Sequence, residues 1–501
     1  MISKSIIGKA AITITVISLL IRVLGFLREI LFANYYGTNL EYEIYLVASI
    51  IPLTINTISI FFYQNYFIPN YALVQNEYSD ESGYFVKKTF LNSLTFSILI
   101  SLVFILFSEQ IISSYAGREI LNTKLKLLFS IFSLTIIPAI LSSFLSAYLN
   151  AKGKFGSPAF SLLFINLVTI ISLLYFKSTN IVPIAVGYLV GSFIQLFYLL
   201  IKTDIKSFIK IRKANQKILS KIKYSSFISV LLIELIGQLY VVADRYFYSK
   251  VDAGGIASLN YATSIFLLPV SIFTISLNTA IMPRISELSV KGEVKEMSEL
   301  IKKLFSFSFL FFIPFVTIFL LQGNQVIRLF FQRGNFDYIS TQMTYEVLFY
   351  LSLSLVFYVM YSFFNKFLYS FQKTTFLLFL TISVLFLKFL MNYILVDSLK
   401  QNGLAISTSV SYIIFFLFAF LKVKSKLKIK FDPKIFSSFL FYLLNALFSY
   451  FMTTVIVLIL NPNTIFFNLF SIIIFLVFYY LNNQIFRDEN QNLILNQIKI
   501  L

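Results

Sequence analysis

The chain has 501 residues, of which 58% are hydrophobic and only 13% are charged, and its net charge is +19. A soluble protein has about 25% charged residues, so this composition excludes a large soluble domain and indicates a multi-pass membrane protein. The absence of cysteine and histidine excludes disulfides, thiolate chemistry, histidine metal ligands and histidine proton shuttles. We find no phosphate-binding glycine loop, and we expect neither a cofactor nor a metal site.

Long apolar stretches run through the whole sequence. A spanning helix needs about 20 apolar residues, and about fourteen stretches meet that requirement. The predicted spans are residues 8–32, 42–68, 88–109, 126–149, 157–176, 182–201, 225–248, 257–281, 304–322, 341–370, 374–397, 402–421, 436–460 and 464–482. The sequence therefore predicts an all-α polytopic membrane protein.

Lysine and arginine are concentrated in every second loop, which predicts that both termini are cytoplasmic. On this basis we divide the chain into five segments. They are an N-terminal lobe of six spans (1–202), a basic cytoplasmic linker (203–223), a C-terminal lobe of six spans (224–421), a basic cytoplasmic loop (422–435), and two extra helices with a tail (436–501).

The two lobes contain traces of an internal duplication. The segment SAYLNAKGKF at 146–155 resembles NKFLYSFQKT at 365–374. Six spans per lobe place the two copies in the same orientation, around a central cavity near the membrane midplane. Three residues of the first lobe recur at one constant offset in the second lobe: Arg28 as Arg245, Gly37 as Gly254, and Pro52 as Pro269. We expect the two prolines to break their helices at matched depth and to act as hinges, or else to form passive kinks.

Ionisable residues inside apolar spans are the main candidates for function. They are Arg22, Arg28, Glu29 and Glu43 in the first half, and Glu234, Asp244, Arg245, Lys366 and Lys388 in the second. Charges at membrane depth usually face a hydrated cavity, although they could also pair with one another and only hold helices together. Arginine binds phosphate oxygens bidentately, so these residues favour a large anionic amphiphile as ligand.

Several of these stretches resemble one family. RVLGFLREILFANYYG (22–37), FIPNYA (67–72), MPRISEL (282–288), RLFFQRGNFD (328–337) and GLAISTS (403–409) are similar to the MurJ/MviN lipid II flippases of the multidrug/oligosaccharidyl-lipid/polysaccharide exporter superfamily. The resemblance implies a transporter, not an enzyme, in the bacterial cytoplasmic membrane. The sequence does not show the oligomeric state, and we take a monomer as the default. It implies alternating access that moves an undecaprenyl-pyrophosphate-linked saccharide, lipid II, to the outer leaflet for peptidoglycan synthesis.

The resemblance also implies a set of substrate-binding residues. Glu29 and Glu43 stand where the family usually has aspartate, and Asn56 stands where it has arginine. Thr263 and Ser264 replace an Asp-Arg pair of the family. The implied substrate-binding set is Arg22, Arg28, Glu29, Glu43, Asn56 and Arg245.

A second site is implied by relatives that bind sodium through an aspartate, an Asn-xxx-Asp/Asn pair and a threonine. The matching residues here are Asp244, Lys388, Asn392 and Thr408, so a lysine replaces one ligand. We hypothesise that the Lys388 ammonium takes the place of the cation and pairs with Asp244.

Other functions remain open at this point. The chain could carry a surface-polysaccharide repeat unit, as relatives in the superfamily do, or it could be a cation-coupled drug antiporter. It could also be a membrane transferase or polymerase of lipid-linked sugars, or a scaffold that no longer transports.

Overall fold

The computed structural model describes residues 4–77, 82–116, 122–177, 180–203, 235–240, 242–428, 433–460 and 465–485. Every regular element in these ranges is a helix, which confirms the predicted all-α polytopic fold. The chain divides into two compact units, Met1–Ala257 and Ser258–Leu501. The five-segment division stays a prediction, and residues 204–223 of its basic linker, together with Glu234, lie outside the described residues.

Ten α-helices of the first unit lie before residue 204. They are α1 (Lys4–Tyr36), α2 (Leu40–Phe62), α3 (Ile68–Glu77), α4 (Ser82–Leu106), α5 (Ser108–Ser113), α6 (Thr123–Leu134), α7 (Ile136–Ala151), α8 (Gly156–Ser161), α9 (Leu163–Phe176) and α10 (Val182–Thr203). A π-helix, Tyr63–Phe67, joins α2 to α3. Further along, residues 235–240 are helical and Arg245–Lys250 form a 3-10 helix.

The second unit begins inside a long helix, α11 (Gly255–Lys291), whose first turn belongs to the first unit. It continues with α12 (Val294–Leu321), α13 (Gly323–Phe330), α14 (Tyr338–Ser352), α15 (Leu355–Ser370), α16 (Thr374–Leu427), α17 (Pro433–Leu460) and α18 (Ile465–Ile485). The backbone of α16 leaves helical geometry at Lys400, which separates two predicted spans.

Most helices coincide with the predicted spans. Within the described ranges, nine helices are long and apolar enough to cross a membrane, or ten if the bent pair α14 and α15 is one span. The total of fourteen stays a prediction. Residues 225–234 and 241 of the predicted seventh span lie outside the described residues, and residues 245–250 form a 3-10 rather than an α-helix.

Side chains next to the loops set several helix starts. The amide oxygen of Asn39 accepts from the N–H of Tyr42 (3.1 Å) and so caps α2. Asp337, at the end of the RLFFQRGNFD motif, accepts from the N–H of Ser340 (2.8 Å) and caps α14. Each cap satisfies one N–H that has no partner within its own helix.

The prediction that Pro52 and Pro269 interrupt their helices is wrong. Both prolines lie inside continuous helices, α2 and α11. A buried proline removes one backbone hydrogen bond but does not end a helix that packing holds on both sides. The departure from α geometry comes later, at the π-helix before Pro69, whose ring would otherwise meet the carbonyl of Asn65. The hinge role of Pro52 and Pro269 stays a prediction.

Aromatic side chains fill the interior of both units. Phe67 is fully buried, stacks on Phe85 (centroids 5.6 Å apart) and meets the edge of Phe144 (4.9 Å). In the second unit, Phe305 packs in the same way against Phe364 (5.8 Å) and Phe420 (5.7 Å). Phenylalanine supplies this volume without a polar atom that would need a partner inside the membrane.

Close contact between α9 and α10 depends on two glycines four residues apart on α10. A Cβ added at Gly191 would lie 2.9 Å from Cα of Ile165, and one added at Gly187 would overlap the side chain of Ser172. This is the small-xxx-small pattern that lets membrane helices approach closely. The contact fixes the position of α9, which places the side chain of Asn166 in the interior of the first unit.

The duplication is visible in the backbone. Gly153 and Gln372, which occupy equivalent positions in the two similar segments, both have a positive φ (75° and 55°). The next residue in each unit donates its N–H back into the preceding helix, from Lys154 to the carbonyl of Leu149 and from Lys373 to that of Leu368, both at 2.9 Å. The same helix ending therefore occurs twice.

Two further pairs repeat this match. Gly37 and Gly254, predicted to be equivalent, both have a positive φ (56° and 85°). Lys177, at the end of α9, has φ 50° and ψ −132°, and Lys400, within α16, has φ 50° and ψ −130°. Such a conformation is rare for a residue with a side chain. Its recurrence in each unit supports the duplication.

We expect Gln372→Gly to stabilise the protein, because glycine adopts a positive φ without the steric cost that a Cβ imposes. The free energy of unfolding should rise by about 1 kcal/mol. Thermal unfolding of the purified protein in detergent measures this. The matched variant Gly153→Gln should lower the unfolding temperature, and a lower temperature for Gln372→Gly would contradict the assignment.

Candidate functional site

An arginine–glutamate pair occupies the interior of the first unit. Arg28 on α1 donates to Oε1 of the adjacent Glu29 from both Nη2 (2.8 Å) and Nε (3.3 Å). The Glu29 side chain is 11% exposed and that of Arg28 is 26% exposed. The pair removes the cost of an isolated charge in an apolar bundle, while part of the guanidinium stays accessible.

Two residues that the sequence analysis did not select complete this network. The hydroxyl of Tyr42 on α2 donates to Oε2 of Glu29 (2.8 Å), and Nη1 of Arg28 donates to Oδ1 of Asn166 on α9 (3.3 Å). Three helices therefore converge on one ion pair. Asn166 could have been noticed as the lone amide in the apolar stretch LLFINLVTII, whereas nothing in the sequence singles out Tyr42.

Aromatic rings surround the network on the α2 side. Phe32 stacks on Tyr42 with centroids 4.7 Å apart and tilts against Tyr45 at 5.1 Å. Tyr45 in turn meets the edge of Phe132 at 5.1 Å. These rings give the ion pair a low-polarity wall, which strengthens its electrostatic interactions.

Arg22 lies apart from this network. It is six residues before Arg28 on α1, so it is about 9 Å away along the axis and about 120° around the helix. The side chain is half-buried, and its Nη1 atom is buried without a hydrogen-bond partner in the described part of the chain. The structure thus separates two arginines that the sequence analysis grouped together.

Glu43 has a different partner, the start of α11. Its Oε1 atom accepts from the backbone N–H groups of Ile256 (2.8 Å) and Ala257 (3.3 Å), and the residue is 3% exposed. The positive end of the helix dipole stabilises a carboxylate at this place. A Cβ added at the neighbouring Gly254 would lie 3.0 Å from the carbonyl oxygen of Thr38, so the two equivalent glycine turns lie against each other.

Arg245 lies on the 3-10 helix of the first unit. Its guanidinium carbon is 4.8 Å from the centre of the Tyr248 ring, a cation–π contact. Its Nε atom is buried and has no hydrogen-bond partner among the described residues. Asp244 and Asn56 are half-buried, and their predicted roles stay predictions.

In the second unit, a buried lysine lies one turn from a buried asparagine on α16. Lys388 is 2% exposed and Asn392 is fully buried. The hydroxyl of Ser407, beyond the break at Lys400, donates to Oδ1 of Asn392. Thr408, which the sequence analysis chose, is the next residue and is half-buried. Both residues lie in the GLAISTS stretch, and the sequence does not tell which hydroxyl faces Asn392. The pairing of Lys388 with Asp244 stays a prediction.

Among the described residues, no group of three or more acidic side chains could hold a metal ion. The described residues do provide a partly exposed, ion-paired arginine that can bind an anion, a carboxylate at a helix start, and a buried lysine.

Comparisons with known proteins identify relatives that match most of the chain. The sequence profile described as "Lipid II flippase MurJ" matches residues 32–480. The probable lipid II flippase MurJ of Borreliella burgdorferi is 27% identical over 427 residues, which cover 81% of this chain and 82% of that protein. The lipid II flippase MurJ of Thermosipho africanus is 26% identical over 417 residues, covering 81% and 83%.

Solved structures agree on the fold. A lipid II flippase MurJ in an inward closed conformation superposes with a TM-score of 0.82 at 24% identity, covering 96% of this chain and all of that one. An inward-facing multidrug resistance MATE transporter of the MOP superfamily has a TM-score of 0.66 at 14% identity, covering 83% and 98%.

We expect Glu43→Ala to lower the free energy of unfolding by about 2 kcal/mol, because two buried N–H groups at the start of α11 lose their acceptor. Thermal and denaturant unfolding in detergent measure this change. Glu41→Ala is the matched control on the same helix. Glu41 pairs with Lys124 at 2.5 Å but is about one-third exposed, so this variant should cost less than 1 kcal/mol. Equal losses in the two variants would argue against the cap.

Proposed function

The chain belongs to the lipid II flippase MurJ family, and on that basis we propose that it carries lipid II from the inner to the outer leaflet of the bacterial cytoplasmic membrane. Lipid II is an undecaprenyl-pyrophosphate-linked saccharide, so the protein must hide two phosphates while the prenyl tail stays in lipid. The movement is one of alternating access and involves no catalytic step. We further propose that the protein works as a monomer with both termini in the cytoplasm.

The single observation that carries this proposal is the state of Arg28. Glu29 binds Arg28 along one edge only, so the side chain is held in place yet remains partly exposed. A guanidinium fixed in this way presents a planar fork that fits phosphate oxygens. Its charge also persists at every physiological pH, as a carrier of diphosphates requires.

The Glu43 contact supports a role for movement at the start of α11. Any displacement of α11 away from α2 has to break both hydrogen bonds to Glu43. Glu43 would therefore act as a latch that favours one conformation of the cycle, and the substrate would provide the compensating interactions in another.

Lys388 supports a cycle without sodium. A buried ammonium next to the Asn392–Ser407 pair is a cation that cannot leave, and we propose that it replaces a bound sodium ion. The predicted partner of this ammonium is Asp244.

Complementation tests the proposed substrate. In a strain depleted of its own lipid II flippase, the wild-type chain should restore growth, whereas Arg28→Lys should not. Lysine keeps a charge beside Glu29 but loses the fork, and transport should fall roughly a hundredfold. The rate is measured in vesicles as the appearance of lipid II in the opposite leaflet. Arg284→Lys, a change at an arginine that forms exposed ion pairs with Glu287 and Glu296, is the control and should transport normally.

Failure of the wild-type chain to transport lipid II in vesicles would contradict the proposal. Transport of a lipid-linked repeat unit of a surface polysaccharide in the same vesicles would then identify the alternative substrate class. That alternative fits the uncharged Asn56, Thr263 and Ser264 at positions where the family has charges.

We expect Lys388→Asn to reduce transport in sodium-free buffer, because the variant removes the built-in cation, and we expect added sodium to restore it. Lys366→Asn, which changes a half-buried lysine on the neighbouring α15, should show no dependence on sodium. Normal transport by Lys388→Asn without sodium would show that the hypothesis is wrong.

A further inference from the structure

The Arg28 guanidinium donates to Glu29 and Asn166, and Glu29 in turn accepts from the hydroxyl of Tyr42. We propose that Tyr42 and Asn166 are positioning residues, which keep two N–H groups of Arg28 directed to the diphosphate of the lipid-linked substrate. This inference rests on the proposed function and identifies the residues that orient Arg28 for substrate binding.

Two N–H groups of Arg28 remain available to a ligand. A guanidinium has five N–H groups. Nε and Nη2 each donate one to Glu29, and Nη1 donates one to Asn166. One N–H on Nη1 and one on Nη2 therefore have no partner in the described part of the chain. Two donors on adjacent nitrogens are the arrangement that binds two phosphate oxygens.

Asn166 suits this task because its amide is neutral. An amide oxygen orients Nη1 without adding charge, and Asn166 is itself only 9% exposed. The Arg28–Glu29 pair already has a net charge of zero. A carboxylate in place of the amide would make the network negative and would repel a diphosphate.

Tyr42 orients Arg28 indirectly, through its hydrogen bond to Glu29. Its hydroxyl donates to Oε2, so Glu29 binds Arg28 through Oε1 alone. Without that hydroxyl, Oε2 becomes available for a second contact with the guanidinium. The carboxylate would then compete with the substrate for the remaining N–H groups.

The first test compares binding with stability in Asn166→Asp. The full-length protein in lipid nanodiscs is titrated with a short-chain polyprenyl diphosphate, and its unfolding temperature is measured in parallel. We expect affinity to fall about tenfold, which corresponds to the loss of one good charge-assisted contact. The unfolding temperature should stay equal or rise, since a carboxylate binds Arg28 more strongly than an amide does. Unchanged affinity would overturn the proposal, because a purely structural role tolerates this isosteric change.

The second test uses two buried tyrosines that pack on the same ring. Tyr42 and Tyr36 lie 4.7 and 6.2 Å from Phe32, measured between ring centroids. The hydroxyl of Tyr36 donates to the carbonyls of Lys177 (2.8 Å) and Asn180 (3.0 Å), away from Arg28. Tyr42→Phe should weaken diphosphate binding several-fold, whereas Tyr36→Phe should lower the unfolding temperature and leave binding unchanged. Equal binding by the two variants would overturn the role of Tyr42.

Arg28→Lys separates the failure of this inference from the failure of the proposed function. If Arg28→Lys binds the diphosphate as well as the wild type does, Arg28 is not part of the substrate site and the positioning role is wrong, whereas the proposed function itself fails only if the wild-type chain does not transport lipid II. If Arg28→Lys weakens binding while Asn166→Asp and Tyr42→Phe do not, the substrate site stands and only the positioning role is wrong.

Discussion

The half-buried charge of Arg28 is the constraint on which the first unit depends. An unpaired guanidinium inside an apolar helix bundle would cost several kcal/mol. Glu29 neutralises it, but a carboxylate alone would also occupy the groups that a ligand needs. Tyr42 and Asn166 divide the hydrogen bonds so that the charge is compensated and part of the guanidinium stays open. This arrangement requires α1, α2 and α9 to meet at one point, and the close packing of α10 on α9 through Gly187 and Gly191 holds the third helix there.

The two buried carboxylates of the α1–α2 region are stabilised by different means. Glu29 has a cation as partner, whereas Glu43 accepts from the first N–H groups of α11. The N–H groups that bind Glu43 move with the whole helix α11, because they belong to its backbone. The guanidinium that binds Glu29 is part of a flexible side chain and can move without its helix. In the proposed cycle, Glu29 would respond to the charge of the ligand and Glu43 to the position of the start of α11. A transporter needs both responses in the same unit if binding and movement are to be coupled.

Features that depend on composition or on one residue type could be predicted from the sequence. Apolar runs predicted the helices, and the matched glycines and the Lys154/Lys373 segments predicted equivalent turns. Features that depend on how far a helix is rotated about its own axis could not be predicted from the sequence. The angular position of α9 decides that Asn166 faces Arg28, and a break at Lys400 decides that Ser407 rather than Thr408 faces Asn392. The effect of Pro52 was also misjudged, because packing around α2 outweighs one lost backbone hydrogen bond.

The helix ending at Gly153 and Gln372 has a consequence for how the two halves have diverged. Glycine fits the left-handed conformation without strain, but glutamine occupies the same conformation in the second half. The same backbone shape therefore occurs with a residue that suits it in one half and with one that does not in the other. At this helix ending the two halves share dihedral angles without sharing the amino acid, whereas the pairs Gly37/Gly254 and Lys177/Lys400 share both. A search for further duplicated transporters would gain by comparing the geometry of helix endings rather than aligned letters.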